Sequence, residues 1–438
     1  MTAYLLQHAW VEGRIRHAVL VEIDRGRFTR VAPDSAETGD TVVRVSGLSL
    51  PGFANTHSHA FHRALRGRTQ TDRGTFWTWR EQMYAVAARL DPDSYYGVAR
   101  AVYGEMLAAG YTAVGEFHYL HHQVDGKPYT DPNAMGHALL AAAHDAGIRI
   151  TLLDTLYLSS GFGAAPDGVQ RRFDDTTPEA WQDRVAELRP PAGAAARIGV
   201  AAHSVRAVPH SALKAFAPYV ETDAPVHVHL SEQVKENEDC RAAYGLTPTG
   251  LLAEHGVLGP MTTAVHATHL TDEDVRLLGQ ARAFASFCPT TERDLGDGIG
   301  PSRRLKDAGA VLTLGSDSHA VIDAFEEMRA LELDERLATH ERGHWSAAEL
   351  LTAAAVDGHR SLGFSDAGEI AVGHRADLVT IDLASPRSAG AGDDEHTAVF
   401  AASAADVTQV VVDGRVVFDG DHRRVGRDLN DTIEAIWR

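Results

Sequence analysis

Hydrophobic and polar residues alternate in two different ways along this chain. In the middle of the sequence, short unbroken apolar runs are separated by segments with helical periodicity. Unbroken runs of this length are typical of parallel strands that are covered on both faces. We count eight of them, the number that a closed parallel barrel needs. The eight runs are residues 48–57, 111–119, 147–157, 197–205, 224–232, 262–270, 283–292 and 310–318.

The two ends of the chain show short alternating strands joined by tight turns. Residues 3–47 have this pattern, and it returns after residue 368, where Asp413-Gly414 suits a two-residue hairpin turn. Because domain termini often lie close together, strands from both ends can pair. The sequence therefore predicts an α/β protein with a (β/α)8 TIM-like barrel. The predicted parts are a small β-sandwich domain from 1–47 and 369–425, the barrel from 48–368 and a C-terminal helix from 426–438.

The composition places the chain among folded globular proteins. Of its 438 residues, 44% are hydrophobic and 23% are charged. The net charge of -19 argues against nucleic acid or an anionic membrane surface as a partner. The sequence has no apolar stretch of about 18 residues and no signal-peptide pattern, and its two cysteines do not make a disulfide framework. We therefore expect a cytoplasmic protein, and both a monomer and a homodimer remain open.

Histidine is unusually frequent, with 24 copies, and several histidines stand at the ends of predicted strands. The first run ends in His57-x-His59, where the two-residue period of a strand points both imidazoles to the same side. Such a pair can also be merely solvated, but His229, His266 and Asp317 end the fifth, sixth and eighth runs. In a (β/α)8 barrel these strand ends form the active-site face. Three imidazoles and a carboxylate suit one Zn²⁺ per chain, or less favourably Fe²⁺, with a position left open for water.

Two further residues near the predicted metal site can transfer protons. Glu232 follows His229 by three residues and can reach water or a leaving group there. Its other interpretation is a surface glutamate, because the stretch that follows it is acidic and polar. His266 has two open roles, as a fourth nitrogen ligand or as a donor to a developing oxyanion. His227 lies inside its strand and is predicted to be a packed, hydrogen-bonded histidine, so His229 is the expected ligand.

Arginines at the predicted barrel mouth suggest an anionic substrate despite the negative net charge. Arg206 and His203 end the fourth run, and a guanidinium can grip a carboxylate through two parallel hydrogen bonds. A surface salt bridge is the alternative interpretation of Arg206. Tyr119 ends the second run. Arg80 is a second candidate for anion binding and lies in residues 75–84, whose pattern predicts an amphipathic helix that buries its aromatic side chains.

Seven motifs resemble the amidohydrolase superfamily and, within it, the family of formimidoylglutamate deiminases. They are HSHAFHRALRG, FWTWREQMY, GEFHYLHH, HSVRAV, HVHLSEQ, VHATH and GSDSH, and the resemblance runs nearly end to end. The resemblance implies a mononuclear zinc barrel in which His57, His59, His229 and Asp317 bind the metal. It also implies that Glu232 transfers protons, that His266 assists, and that the substrate's two carboxylates are held by Arg206, His203, Tyr119 and Arg80.

The sequence departs from that family at His62, where many relatives have glutamine in the first motif. We still expect His62 to line the pocket, although neutral imidazole donates and accepts only in a fixed tautomer, whereas an amide does both at once. The fourth run contains no lysine that could be carboxylated to bridge two metals. That absence supports a single metal ion.

The resemblance implies hydrolysis of N-formimidoyl-L-glutamate to N-formyl-L-glutamate and ammonia in histidine degradation, with Asp317 taking the proton of the attacking water. A ring-amidine deaminase of the guanine or cytosine type uses the same metal set and is the first alternative. A neutral base needs no cationic anchor, so Arg206 and Arg80 favour the linear dianionic substrate. A non-catalytic barrel scaffold is a remote alternative, because such a protein is expected to have lost ligands and all of them are present here.

Overall fold

A computed structural model describes residues 2–36, 41–70, 74, 76–193 and 195–438 of the chain. Positions 1, 37–40, 71–73, 75 and 194 belong to the predicted terminal and barrel domains and lie outside the described residues. The described strands form two separate sheets. They are β1 (Thr2–Val11), β2 (Arg14–Asp24), β3 (Arg27–Ala32), β4 (Val42–Pro51), β5 (Phe53–Ser58), β6 (Tyr111–His118), β7 (Arg149–Leu156), β8 (Ala196–Ala202), β9 (Val226–Leu230), β10 (Thr262–His266), β11 (Phe284–Phe287), β12 (Val311–Leu314), β13 (Leu378–Ile381), β14 (Val407–Val412) and β15 (Arg415–Phe418).

Strands β5 to β12 make a parallel eight-stranded sheet in which each strand lies beside its neighbour in sequence. Each predicted run overlaps one of these strands, so the predicted barrel is confirmed. The sheet closes between β12 and β5, because the N–H groups of Ser316 and Asp317 donate to the carbonyl oxygen of His57 at 3.1 and 2.9 Å. The N–H of His59 donates back to the carbonyl oxygen of Asp317 at 3.3 Å. The closure therefore joins two strand ends that carry predicted metal ligands.

Strands from both chain ends join in one seven-stranded mixed sheet with the order β15-β14-β13-β4-β1-β2-β3, which confirms the predicted pairing of the termini. Strand β4 runs to Pro51, so residues 48–51 of the first predicted run lie in this terminal sheet and the barrel strand begins at Phe53. Only Gly52 separates the two strands, and a Cβ at this position would lie 2.3 Å from the side chain of Thr112. The division into domains at the predicted boundaries stays a prediction.

The helices cover the outside of the barrel. They are α1 (Phe76–Ala87), α2 (Pro92–Ala108), α3 (Ala134–Ala146), α4 (Pro178–Glu187), α5 (His210–Leu213), α6 (Ala217–Val220), α7 (Val234–Tyr244), α8 (Pro248–Glu254), α9 (Asp272–Ala281), α10 (Pro289–Leu295), α11 (Ser302–Ala308), α12 (Ala324–Thr339), α13 (Ala347–Thr352), α14 (Gly358–Ser361), α15 (Glu395–Phe400) and α16 (His422–Trp437). Short 3-10 turns lie at Ala60–Leu65, Gly168–Arg172, Lys214–Phe216 and Ala404–Asp406, and a π-helical turn lies at Ala353–Asp357.

The local sequence explains where several helices begin. Thr271 caps α9, and Ser346 forms the predicted capping box with Glu349 at the start of α13. The C-terminal helix begins at His422, four residues before the predicted start, because the Asp421 side chain accepts a hydrogen bond from the N–H of Arg424. None of the described helices is long and apolar enough to cross a membrane.

Candidate active site

A cavity opens at the end of the barrel where the β-strands finish. Ten of the eleven residues predicted from the sequence line this cavity, and the eleventh, His57, is fully buried beside it. The ten are His59, His62, Arg80, Tyr119, His203, Arg206, His229, Glu232, His266 and Asp317. His227 is fully buried and does not line the cavity, as the sequence predicts.

The four predicted metal ligands converge on one small volume. The Nε2 atoms of His57 and His229 are 3.0 Å apart, and the Nε2 atoms of His59 and His229 are 3.3 Å apart. The Oδ1 atom of Asp317 lies 3.2 Å from Nε2 of His57 and 3.4 Å from Nε2 of His59. Strands β5 and β9 and the turn after β12 supply these side chains. Three ring nitrogens and one carboxylate oxygen therefore face one another.

Hydrogen bonds to the backbone set which ring nitrogens carry protons. Nδ1 of His59 lies 2.9 Å from the carbonyl oxygen of Phe117, and Nδ1 of His229 lies 2.8 Å from that of His203. A carbonyl only accepts, so both Nδ1 atoms donate and both Nε2 atoms hold lone pairs. Burial lowers the pKa of His57, His59 and His229 well below the usual histidine value, so these rings are neutral. Facing lone pairs repel unless a cation lies between them, and this donor set fits a divalent metal.

Glu232 and His266 flank the metal-type cluster on one side. Nε2 of His266 lies 3.9 Å from Oε1 of Glu232 and 4.0 Å from Oδ2 of Asp317, while its Nδ1 lies 3.4 Å from Oε1 of Glu292. Burial raises the pKa of Glu232 and outweighs the opposing effect of His266 and Arg206. Burial by itself lowers the pKa of His266, but Glu232, Glu292 and Asp317 together raise it to about 10. The site thus holds a carboxyl group and an imidazole that can both carry a proton.

The backbone is strained at three of these strand ends. Ser231, His266 and Asp317 have φ angles of 52°, 68° and 38°, in the left-handed region that side chains other than glycine rarely adopt. Each such residue costs on the order of 1–3 kcal/mol, and these conformations concentrate at functional sites. The strain lies where the chain leaves β9, β10 and β12 and turns beside the cavity.

The opposite wall of the cavity is cationic and aromatic. The Arg206 side chain lies 4.0 Å from Glu232, measured from Nη2 to Oε2, and its buried Nε atom has no hydrogen-bond partner among the described residues. Nε2 of His62 lies 3.0 Å from the hydroxyl of Tyr119. The ring of Tyr119 is 5.3 Å from the ring of His203, between centroids. These contacts place the residues that are predicted to bind the substrate next to the four predicted metal ligands, in a single cavity.

Arg80 reaches the same cavity from helix α1, which lies over the barrel mouth. Its guanidinium stacks on the rings of Trp77 and Tyr84, at 4.8 and 5.4 Å from the centroids. Trp79 lines the cavity beside it and lies 5.1 Å from the ring of His62. The prediction that this helix buries its aromatic side chains is wrong for Trp77, which is 42% exposed. The reason is that α1 packs against the mouth of the barrel and leaves Trp77 on its outer side, against Arg80.

Sequence reasoning missed several residues that line or support the cavity. Tyr157, Ser159 and Ser160 follow β7 and line the cavity. The third predicted run, which contains β7, does not end in a charged or metal-binding residue. The aromatic and hydroxyl groups just past this strand were the signal that could have found them. Glu292 ends the seventh run and contacts His266, but the sequence suggested no role for it.

Comparisons with known proteins agree with this geometry. A model of the amidohydrolase family matches residues 48–417. The chain belongs to the amidohydrolase family. It is therefore a hydrolase, which confirms the predicted reaction class. It is 38% identical to a protein of Pseudomonas aeruginosa named formimidoylglutamate deiminase, over 99% of this chain and 97% of that protein.

Two solved structures share the fold over almost their whole length. An amidohydrolase from Brucella melitensis has a TM-score of 0.89 and 33% identity, and each chain is covered completely. An adenosine deaminase from Xanthomonas campestris with bound zinc has a TM-score of 0.83 and 22% identity, over 100% of this chain and 98% of that chain. The second likeness supports the fold alone.

Proposed function

We propose that this amidohydrolase converts N-formimidoyl-L-glutamate and water to N-formyl-L-glutamate and ammonia, a step of histidine degradation. The proposal depends on one observation: the predicted metal ligands and two guanidinium groups, those of Arg206 and Arg80, lie at the same cavity. The buried Nε–H of Arg206 has no hydrogen-bond partner among the described residues, so it is a donor available to an anionic ligand. The 38% identity to the Pseudomonas aeruginosa deiminase supports the same substrate.

We infer that His57, His59, His229 and Asp317 hold one metal ion. Neutral imidazoles and a carboxylate favour zinc, with ferrous iron as the alternative. When bound, the ion supplies Lewis acidity that lowers the pKa of water to about 7.

The protein groups around the cluster divide the proton transfers. Asp317 takes a proton from the water whose oxygen adds to the formimidoyl carbon. His266 donates a hydrogen bond to the oxygen on which negative charge develops. Glu232 delivers a proton to the terminal nitrogen, so that the carbon–nitrogen bond breaks and that nitrogen leaves as ammonia. Both hydrogens of the water end on ammonia, and the formyl group keeps its oxygen.

The cationic side of the cavity orients the substrate so that its amidine group faces the four metal ligands. Arg206 and Arg80 bind the two carboxylates, and Tyr119 and His203 complete the anion site. Burial lowers the pKa of His62 well below its usual value, so this ring is neutral and offers one donor and one acceptor. Nε2 of His62 faces the Tyr119 hydroxyl, and either atom can be the donor in this contact.

A ring-amidine deaminase is the second candidate function, because the same four metal ligands can serve both reactions. A neutral purine or pyrimidine gives the two partly buried guanidinium groups no anionic partner, and leaving them unpaired costs binding free energy. The linear dicarboxylate satisfies both of them. We also propose a cytoplasmic location, since Cys240 and Cys288 are both buried and unpaired.

The test is ammonia release by the metal-loaded enzyme from four compounds at equal concentration. These are N-formimidoyl-L-glutamate, N-formimidoyl-L-aspartate, guanine and cytosine. We expect the highest kcat/KM for the glutamate compound and a lower value for the shorter aspartate compound, whose two carboxylates cannot match both guanidinium groups. A higher kcat/KM for guanine or cytosine would overturn the dicarboxylate proposal in favour of the ring-amidine deaminase.

A further inference from the structure

A second group of potential metal ligands lies in the terminal sheet, away from the barrel cavity. His8 on β1 and His17 on β2 are direct partners in the antiparallel register. Their Nδ1 atoms lie 2.9 Å apart, and their ring centroids are separated by 5.0 Å. The Oδ2 atom of Asp393 lies 3.5 Å from Nδ1 of His8. Three ligand atoms from two distant parts of the sequence, the first hairpin and residue 393, thus meet on one surface.

A hydrogen bond between the two rings accounts for only part of this arrangement. One Nδ1–H can donate to the other Nδ1, but the 3.5 Å separation between His8 and Asp393 exceeds the usual hydrogen-bond range of about 2.7–3.2 Å. Two donors bound to one zinc ion at about 2.0–2.1 Å, with tetrahedral angles, are separated by about 3.3 Å. Both measured separations differ from that value by less than about half an ångström, which a small side-chain rotation can supply.

Access and charge also favour a cation at this place. The side chains of His8 and Asp393 are 15% and 53% exposed, so an ion can enter and keep water ligands. The chain carries a net charge of -19, which attracts cations in general. Two imidazoles and a carboxylate are the ligands that zinc and neighbouring divalent transition metals prefer.

The buried group of His118, His121 and Asp154 provides a contrast. Its ligand atoms also lie close together, but Oδ2 of Asp154 accepts a hydrogen bond of 2.6 Å from Arg184. The arginine already supplies the positive charge that this carboxylate needs. The Asp393 carboxylate at the surface meets only His8 and, through it, His17 in the contacts described above.

We propose that His8, His17 and Asp393 form a second divalent-metal site of the zinc type, weaker than the site in the barrel. The ion would fasten the loop at 385–396 to the first hairpin of the chain. Asp393 directly precedes Asp394, whose side chain accepts hydrogen bonds from the N–H groups of His396 and Thr397 at the start of α15. A metal at Asp393 would therefore link the N-terminal strands to a helix that follows the barrel.

The test uses the holoenzyme with its barrel metal in place and adds zinc chloride alone. Equilibrium dialysis followed by elemental analysis should find one further equivalent of zinc in the wild type. His17→Ala and Asp393→Asn should each weaken binding of that equivalent by at least about tenfold and leave the first equivalent unchanged. His137→Ala is the matched control, because His137 and Asp131 form a surface pair with a 2.7 Å separation outside the ligand groups of the described residues.

Deamination activity gives no signal for this site, since none of its residues lines the barrel cavity, so thermal stability is the second readout. Added zinc should raise Tm of the wild type and of His137→Ala more than that of His17→Ala. His17→Gln, which keeps a side chain of similar polarity at this exposed position, should behave like His17→Ala. The proposal is overturned if the wild type binds no further zinc, or if His17→Ala and Asp393→Asn both retain the second equivalent at unchanged affinity. A Tm response that is equal in all variants would overturn the fastening of the loop.

Discussion

Charged groups are buried at both ends of the barrel, but the partners around them differ between the two ends. At the end where the strands begin, Arg149 on β7 donates to Asp377 at 2.7 and 3.3 Å and to Asp413 at 2.9 Å. At the end where the strands finish, three imidazole nitrogens face one another beside Asp317, and Glu232, Glu292 and Asp317 surround His266. Arg206 at the same end approaches Glu232 only to 4.0 Å, whereas Nε of both arginines lacks a hydrogen-bond partner among the described residues.

This difference separates a structural set of charges from a functional one. Arg149 opposes the effect of burial and holds the pKa of Asp377 below its usual value, so the pair stays ionised and joins the barrel to the terminal sheet. Burial instead raises the pKa of Glu232 at the mouth. Charges that are satisfied within the protein stabilise the fold, whereas charges that converge without compensation need a ligand.

Asp317→Ala should have the largest effect on turnover. The variant removes one metal ligand and the group that accepts the proton of water, so kcat should fall by at least about three orders of magnitude and the metal content should fall with it. Steady-state ammonia release and elemental analysis measure the two quantities. Asp431→Ala, on the exposed side of α16, is the control and should change neither. Full activity after loss of the metal would contradict the assignment.

Glu232→Gln should lower kcat by about 10²–10⁴-fold, because it removes a proton donor at nearly constant shape. Metal content and KM should stay close to the wild-type values. Glu238→Gln, on the exposed side of α7, is the matched control. If the glutamine variant lost its metal, Glu232 would have to be a ligand rather than a group that moves protons.

Arg206→Ala should lower kcat/KM for formimidoylglutamate by about 30-fold to several thousand-fold, the equivalent of about 2–5 kcal/mol for a desolvated charge pair. Arg206→Lys should restore little of the lost kcat/KM, since an ammonium group lacks the planar guanidinium that donates two parallel hydrogen bonds to a carboxylate. Metal content should not change in either variant. Turnover within a few fold of the wild type, together with better turnover of a neutral amidine, would remove the basis for a dicarboxylate substrate.

Asp377→Ala tests the structural end of the comparison. It leaves a buried guanidinium with part of its compensation, and breaking such a pair costs about 3–5 kcal/mol of unfolding free energy. Urea denaturation should show this loss, while kcat/KM of the folded enzyme should stay within about twofold. A large drop in kcat/KM without a loss of stability would mean that the two ends are not separate in function.

The smallest effect concerns acid stability at the same end of the molecule. Arg27 and Arg375 oppose the effect of burial and lower the pKa of Asp366 from 3.8 to about 2. A carboxyl whose pKa is lower in the folded state stabilises the fold above its unfolded pKa, and this stabilisation is lost as the pH falls from about 4 to about 2. Because Asp366 is partly exposed, the effect should stay below about 1 kcal/mol. Asp366→Asn should flatten this part of the stability profile, and an unchanged profile would contradict the role of the pair.

The strand ends were readable from the sequence because a barrel orders its polar residues along the chain. Unbroken apolar runs mark the buried strands, and whatever follows each run must lie at the mouth. His59, His229 and Asp317 could therefore be placed together without any long-range information. Their tautomers could not, because the carbonyl groups of Phe117 and His203 that fix them belong to neighbouring strands.

Residues outside the strand ends were harder to predict. Arg80 was a candidate, but only the packing of α1 over the mouth brings its guanidinium to the cavity and leaves Trp77 outside. Glu292 contacts His266 only because α10 folds back toward β10. The terminal sheet was expected from alternation at both ends, yet its order depends on which edges meet, and hydrophobic period alone carries no such information.

The sequence by itself determined the eight-stranded barrel and most of the residues at its mouth. It did so because the period of apolar residues and the chemistry at each run's end are local properties. Only the tertiary structure decided which of those groups pair with neighbouring opposite charges and which face the cavity. Compensation depends on distances between residues far apart in sequence, such as Arg149 and Asp377. The same physical reason accounts for the position of Asp393 beside His8 on the surface.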